Sequence, residues 1–473
     1  NAGESLCRDL LRKQTPYAPV AFVDDSPIDL GREIHGIRVL GTALDIPAIV
    51  RKRDVDVIMV ALPNANAKEM RRIHAICEST GKPVHTLPGL NDLVSGMVSV
   101  KSLRKISLED LLGRDPITLD KEAIQNSITG KRVLISGGAG SIGSELCRQV
   151  LHFKPSELII VDNNEYHLFC IEQEFKQLQT NVPVFRALID ICDDTALENV
   201  FREYTPQVVF HAAAYKHVPM LEDQIRAAVR NNVLGTLKVA KAAMLVQAEK
   251  FVLVSTDKAV NPTSFMGASK RVAELVCQHL SYSTTQFITV RFGNVLGSRG
   301  SVVETFQKQL EKGGPLTVTH PEMTRYFMTT KEACQLILQA AALGHGGEVF
   351  VLDMGEPVKI RYMAEQMIRL SGKKPNEDIH IEFTGLREGE KLYEELFHKK
   401  EPLLSTEHTK ILKCKHRTMD PDTVGQLLET LFEVCETKGE APIKQALFAL
   451  VPEYQGSEKE SDRSHPESEH EIA

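Results

Sequence analysis

Residues 133–143, Val-Leu-Ile-Ser-Gly-Gly-Ala-Gly-Ser-Ile-Gly, constrain the fold of this chain more than any other stretch. An apolar run meets a cluster of glycines and then a helical pattern, so a strand must turn sharply into a helix. Gly138, Gly140 and Gly143 stand in Gly-x-Gly-x-x-Gly register, and Gly137, Gly140 and Gly143 in Gly-x-x-Gly-x-x-Gly register. Glycines so spaced let the backbone turn tightly and approach a pyrophosphate, whose charge is favoured at the N-terminus of the following helix. Asp162 closes the next strand-like run. A carboxylate there suits the adenosine ribose 2′-hydroxyl and repels a 2′-phosphate, which points to NAD over NADP. The alternative is a tight strand–helix turn beside a solvated aspartate.

The turn opens a series. Six apolar runs, KRVLIS, ELIIVD, VPVFRALID, PQVVFHAAA, EKFVLVSTD and QFITVRFGN, alternate with helical patterns. Alternation of this kind predicts an α/β fold: a doubly wound parallel sheet over residues 131–295 that binds the dinucleotide and carries the catalytic segment.

Residues 1–90 repeat the alternation on a smaller scale, with VAFVDD (20–25), VDVIMVALP (55–63), a helical AKEMRRIHAICEST and KPVHTLP. They read as a second, truncated Rossmann-like domain. Its opening AGES looks like the end of a glycine turn whose strand is missing, which implies a natural chain extending further towards its N-terminus. The Val-Asp-Asp at 23–25 is a candidate carboxylate for a ribose, the alternative being a structural or regulatory domain.

Residues 91–130 have weak periodicity and several Gly and Pro breakers, and read as a connector. Residues 296–455 mix helical patterns with short strands, as a mainly substrate-binding lobe over the carboxyl edge of the sheet would. Residues 456–473 are too polar to offset their ordering entropy and are expected to be disordered.

Composition narrows the function. A length of 473 residues exceeds one compact core. A net charge of -7 with 25% charged residues describes an ordinary surface and predicts no nucleic-acid partner. Nine cysteines without a Cys-x-x-Cys pair argue for reduced thiols, against a disulfide framework and against a metal site. No apolar run reaches the roughly 18 residues that a spanning helix needs, and no signal peptide is expected from this sequence.

The chemistry concentrates in Ser-Thr-Asp-Lys-Ala-Val-Asn-Pro-Thr-Ser-Phe-Met-Gly-Ala-Ser-Lys, residues 255–270. Its end has the spacing of the Tyr-x-x-x-Lys pair that takes a proton from a sugar hydroxyl, but Met266 cannot do that. Acid–base work then falls to Thr256, Asp257 and Lys258, unless these are only a cap and a solvated pair.

Together with GGAGSIGSE, HAAAYKHVPMLE (211–222), NNVLGT (231–236), VRFGNVLGSRGSVV (290–303), TRYFMT (324–329) and LREGEKLYEEL (386–396), this segment resembles the nucleoside-diphosphate-sugar 4,6-dehydratases of the extended short-chain dehydrogenase/reductase superfamily. It is most similar to the long CapD-like polysaccharide biosynthesis proteins, which carry an N-terminal membrane region and an extra Rossmann-like domain. That group typically has Met in the tyrosine position.

The resemblance implies a reaction. Hydride passes from the sugar C4 to NAD, the C5 proton is removed, water leaves from C6, and the hydride returns to C6. Asp257 is then the acid, provided burial favours its protonated form, and a base for the C4 hydroxyl; Lys258 is the C5 base, with Lys270 and the nicotinamide ring expected to lower its pKa. Thr256 bonds the C4 oxygen, and Lys270 holds the nicotinamide ribose. Met266 is expected to be an apolar wall beside the sugar.

The resemblance further implies cofactor contacts from Gly137, Gly140, Ser141, Ile142, Gly143, Asp162, Asp190, Ile191, His211, Ala212, Ala213 and Lys270. A histidine ending a buried strand is often structural, and His211 joins this set only through the block around it. Substrate contacts fall to Lys216, His217, Asn294, Arg325 and Arg387, the arginines suiting a diphosphate.

The expected substrate is a UDP-sugar, UDP-N-acetylglucosamine by resemblance, used for surface glycans at the cytoplasmic face of a bacterial inner membrane. Membrane attachment is implied only through a region this chain lacks. A homodimer or higher oligomer, formed through the helix carrying Lys270, is the corresponding expectation. The competing functions are a C4 epimerase, which needs the missing tyrosine, and a non-catalytic sugar-nucleotide-binding protein.

Overall fold

The computed structural model describes residues 2–12, 15–63, 65–87, 103–112, 117–178, 180–398, 401–415, 420–436 and 439–456. Nine strands form the main sheet: β1 (Arg132–Ser136), β2 (Glu157–Asp162), β3 (Val184–Leu188), β4 (Val208–His211), β5 (Lys250–Val254), β6 (Gln286–Arg291), β7 (Glu348–Leu352), β8 (Leu403–Ser405) and β9 (Ile411–Cys414). Their order is β3-β2-β1-β4-β5-β6-β7-β9-β8. The first seven run parallel; β9 and β8 close one edge antiparallel.

The apolar runs exist because helices cover both faces. Along β1, Val133 and Ile135 enter one core with Leu158, Ile160 and Phe210, while Leu134 enters the other with Ile159, Val161 and Val209. The alternation is the two-residue period of a strand. Strand order reverses between β1 and β4, and in such sheets ligands lie at the carboxyl ends beside that switch point.

Two expected boundaries change. The segment 296–455 is not one lobe, because β7, β8 and β9 join the main sheet. The lobe proper is the core of Phe306, Leu316, Val318, Met363, Ile368 and Ile379. The described part of the 91–130 connector is also structured. Arg104–Lys105 pairs with the Val84–Thr86 strand. In the short helix Leu108–Leu112, Leu108 and Leu112 pack into the lobe while Leu111 packs into the N-terminal domain. The helix Lys121–Ile128 buries Ile124 and Ile128 in the main core. Short helices with so few apolar positions carry little periodicity, which is why the sequence pattern missed them. Residues 88–102, 113–116 and the tail 457–473 lie outside the described residues.

In the N-terminal domain, Ile58–Val60 and Val84–Thr86 pair in parallel with the helix Ala67–Glu78 between them. VAFVDD makes only a single bridge, Phe22 to Val39. Its acids are engaged locally. Asp24 accepts from the Ser26 amide at 2.9 Å, and Asp25 accepts from the Ala43 amide at 2.8 Å and binds Arg72.

Four helices matter for the site: α1 (Ser141–His152), α2 (Phe265–Leu280), α3 (Pro421–Glu436) and α4 (Ala441–Leu450). Every residue of α2 from Phe265 to Cys277 is buried. The hairpin α3–α4 supplies much of that cover, with Leu428, Leu431, Ile443 and Leu447 against Val272, Leu275 and Val276. The face expected to meet a second subunit is covered by the chain's own C-terminal helices. No helix among the described residues is long and apolar enough to cross a membrane.

Candidate active site

The glycine turn ends β1. Gly137 has a φ of +65°, and a Cβ there would lie 2.6 Å from the backbone of Ala213. A Cβ on Gly143 would lie 2.0 Å from the Gly137 carbonyl oxygen, so the turn and α1 close onto one another only without side chains. Gly140 caps α1 with no side-chain hydrogen bond. The helix therefore opens with amide donors directed out of the turn, an anion cradle for a pyrophosphate. Ser141 and Ile142 supply the first two helical positions.

Asp162 lies at the tip of β2, accepting from the amides of Ala139 at 3.1 Å and Asn164 at 3.0 Å. It braces the turn as well as facing the groove's edge. Asp190 is exposed and accepts from the Cys192 amide at 2.9 Å, while Ile191 is buried against Gly235. Ala212 and Ala213 line the opposite wall, where β4 meets Gly137.

His211 does not belong to that lining. Its ring is 1% exposed, with Nδ1 2.6 Å from Ser136 Oγ and Nε2 2.9 Å from Thr236 Oγ1. The Thr236 hydroxyl donates to the Asn232 carbonyl at 2.6 Å, so it accepts from Nε2–H, and Nδ1 accepts from Ser136. Burial, then the charge of Lys270, lowers the imidazole pKa to about 3. His211 is a neutral pin between β1, β4 and the helix Gly235–Leu245.

Thr256, Asp257 and Lys258 follow β5, where a single tight helical turn, Asp257–Ala259, rotates them into the sheet's carboxyl edge. Asp257 is fully buried. Its Oδ1 accepts from the Thr256 hydroxyl at 2.9 Å and from Lys258 Nζ at 3.0 Å. Its Oδ2 is a buried oxygen with no partner among the described residues. A Cβ on Gly293 would sit 3.1 Å from that oxygen, so glycine there leaves it room.

Lys258 Nζ also donates to Asn294 Oδ1 at 3.0 Å and lies 3.6 Å from Glu394 Oε1. The expected lowering of its pKa is not what surrounds it. Burial disfavours the cation, but Asp257 and Glu394 outweigh burial and raise the pKa. Lys270, by contrast, is brought down to about 8 by burial against the opposing pull of Glu274. Lys270 Nζ donates to the Val254 carbonyl at 2.8 Å.

Met266 is 3% exposed, packed with Leu221, Ala228 and Val218. The thioether occupies an apolar niche rather than an open wall. One residue on, a Cβ at Gly267 would meet the Lys258 carbonyl at 2.3 Å, so α2 starts hard against the Asp257–Ala259 turn.

Asn294, expected to meet substrate, stands beside Lys258 through that hydrogen bond. Lys216 and His217 lie exposed at its rim, where a Cβ on Gly300 would meet the His217 ring at 2.5 Å. Arg387 is exposed on the loop following Phe383. Arg325 departs from its expected role. It is 7% exposed and donates to the carbonyls of Thr324 (2.7 Å), Lys391 (2.8 Å) and Leu392 (3.3 Å), with Nε 3.6 Å from Glu394 Oε1. Its guanidinium latches the 391–394 segment and is not held out for a diphosphate.

Glu394 and Asn232 emerge only from the structure, although both stand in quoted blocks. Glu394 bridges Lys258 and Arg325. Asn232, fully buried, exchanges hydrogen bonds with the Tyr215 backbone at 2.8 and 3.0 Å and donates to Ser269 Oγ at 3.0 Å, fixing the 215 loop to α2.

A doubly wound sheet, a glycine turn at its switch point and a lysine-bearing α2 beside a Thr-Asp-Lys turn define an extended short-chain dehydrogenase/reductase. The family described as "Polysaccharide biosynthesis protein" matches residues 133–416, and the chain belongs to it. It is 49% identical over 404 residues to the capsular polysaccharide biosynthesis protein CapD of Staphylococcus aureus, covering 84% of this chain and 67% of that protein. It is 43% identical over 454 residues to the "Probable polysaccharide biosynthesis protein EpsC" of Bacillus subtilis, covering 95% and 75%. Among solved structures, Pen from Bacillus thuringiensis superposes with a TM-score of 0.57 at 34% identity, over 62% of this chain and 90% of that one.

Proposed function

We propose that this chain is an NAD-dependent 4,6-dehydratase of a UDP-N-acetylhexosamine, expected to be UDP-N-acetylglucosamine, making a 4-keto-6-deoxy sugar nucleotide for surface-glycan synthesis. The observation that carries the reading is the buried Asp257–Lys258 pair at 3.0 Å, next to a helix whose tyrosine position holds a packed Met266. The glycine cradle, the uncapped α1 and Asp162 fit NAD. That cofactor, when bound, supplies a hydride acceptor for C4 and a hydride donor for C6.

The chain's own residues handle protons. Asp257 takes the C4 hydroxyl proton, with the Thr256 hydroxyl at 2.9 Å offering the path, and so becomes the acid that protonates the departing C6 hydroxyl. Lys258 accepts the C5 proton and gives it back to C5. It does so only after releasing its own proton to water, for which its side chain keeps 21% exposure. Two carboxylates raise its pKa, so this release sets the alkaline rise of the rate. Charges balance in the buried quartet: Asp257 and Glu394 against Lys258 and Arg325, an arrangement that keeps burial tolerable.

A C4 epimerase would need a tyrosine-like group at 266, and the niche there holds none. The deciding experiment incubates the purified chain with UDP-N-acetylglucosamine in deuterated water and follows product mass and label. Loss of one water with deuterium at C5 supports the dehydratase. Unchanged mass with inverted C4 makes it an epimerase, and bound NAD without turnover makes it a binding protein.

A further inference from the structure

The loop after Asn294 leads back to the cofactor side. Asn294 touches Lys258, and Arg299, five residues along, touches the glycine turn. The Arg299 backbone amide donates to Ser141 Oγ at 3.0 Å, and its Nη1 donates to the Ala139 carbonyl at 3.3 Å. These two contacts straddle Gly140, the bare cap of α1. The loop is seated on its other side as well: Gly297 and Gly300 take φ of +72° and +68°, and the Gly300 amide donates to Glu304 Oε2 at 2.6 Å.

A guanidinium offers five N–H donors, and the Ala139 carbonyl uses one. Among the described residues no carboxylate forms an ion pair with Arg299. Its charge is felt by Tyr166 and His167 at the start of the helix after β2. That is the side of the groove on which Asp162 stands. An unpaired planar cation beside an anion cradle is arranged for bidentate contact with phosphate oxygens.

We propose that Arg299 is a binding residue for the cofactor's pyrophosphate, reaching across from the substrate-side loop to close the cradle that Gly137, Gly140 and the first turn of α1 leave open. The inference rests on the dinucleotide reading of that turn. Both cofactor and substrate carry a nucleoside diphosphate; the contacts to Ala139 and Ser141 assign Arg299 to the cofactor's.

The test measures equilibrium binding of NAD, ADP-ribose and UDP to the purified chain after removal of retained nucleotide, for wild type, Arg299→Ala and Arg299→Lys. Thermal melts confirm that both variants fold. The expected result is a loss of NAD and ADP-ribose affinity of about 10- to 100-fold in Arg299→Ala, the scale of a lost charge-assisted contact, with a smaller loss in Arg299→Lys and unchanged UDP binding. Unchanged NAD affinity in Arg299→Ala overturns the assignment, as does a loss confined to UDP. Wild type that binds neither NAD nor ADP-ribose would instead bring down the dinucleotide reading, and the assignment with it.

Discussion

The amine of Lys258 lies 3.0 Å from Oδ1 of its chain neighbour Asp257, while the other oxygen of that carboxylate is buried without a partner among the described residues. Consecutive residues of a strand point to opposite faces. These two reach each other because the strand has already ended at Val254 and the Asp257–Ala259 turn brings both side chains round to the same side. In the proposed reaction the unpartnered oxygen is the one that meets substrate.

Removing either partner should separate chemistry from binding. Asp257→Asn and Lys258→Met are each expected to lower kcat about 100- to 10,000-fold, the range for loss of a positioned acid or base, while NAD affinity stays close to wild type. Steady-state kinetics beside NAD titrations check this. Retained turnover in both variants would refute the assigned roles.

Glu394 holds Lys258 in its charged form. In Glu394→Gln one of the two carboxylates is gone, the neutral amine is relatively favoured, and the Lys258 pKa falls. The ascending alkaline limb of kcat against pH should move to lower pH, with a reduced plateau from the loosened Arg325 latch. A limb at the wild-type pH would show that Glu394 does not act on this lysine.

Lys270 gives a stability signature. Its pKa is lowered from 10.5 to about 8 by burial, so between those values the folded chain binds fewer protons than the unfolded one. Stability then rises with pH across that window, the burden of a buried charge being fully present below about 8 and gone above 10.5. Relative to Lys270→Met, wild type should gain roughly 3 kcal/mol over that range in urea melts. A constant difference would contradict the buried-amine reading.

Glu274, fully buried, receives Arg291 Nη2 at 2.7 Å, Arg271 Nη1 at 3.1 Å and the Ser255 hydroxyl at 2.7 Å. Burial alone would raise its pKa, and the two arginines hold it low instead, so its contribution is present at neutral pH and is lost on acidification. Glu274→Gln leaves a 1%-exposed Arg291 short of charge and is expected to destabilise by about 3–5 kcal/mol. Chemical denaturation measures it.

Restoring the tyrosine should not restore tyrosine chemistry. Met266→Tyr must fit a ring and a hydroxyl into the niche of Leu221 and Ala228, at about 1–3 kcal/mol of overpacking. The variant is expected to melt lower and to show no C4 epimerisation by NMR.

Much of the fold was written locally. All six apolar runs of 131–295 became parallel strands β1 to β6, because a strand covered on both faces is apolar along most of its length; the edge strand β3, less covered, still exposes Arg186 and Leu188. The glycine turn was equally legible, since a φ of +65° and a 2.0 Å approach admit no side chain. What escaped was assembly over distance. β8 and β9 lie more than a hundred residues beyond the six expected strands, and nothing local in them tells which sheet they will extend.

The site divides the same way. Residue type and spacing alone set which groups stand at the carboxyl edge: the glycines, Asp162, Thr256, Asp257, Lys258 and Lys270. Tertiary structure decided what each can do, because burial and neighbouring charge come from segments far away in the chain. Glu394 raises Lys258, the body of the protein lowers Lys270, Thr236 and Ser136 consume His211, and three backbone carbonyls consume Arg325. A side chain's chemistry is inherited from its type, but its proton affinity and its free donors depend on which distant atoms the fold sets beside it.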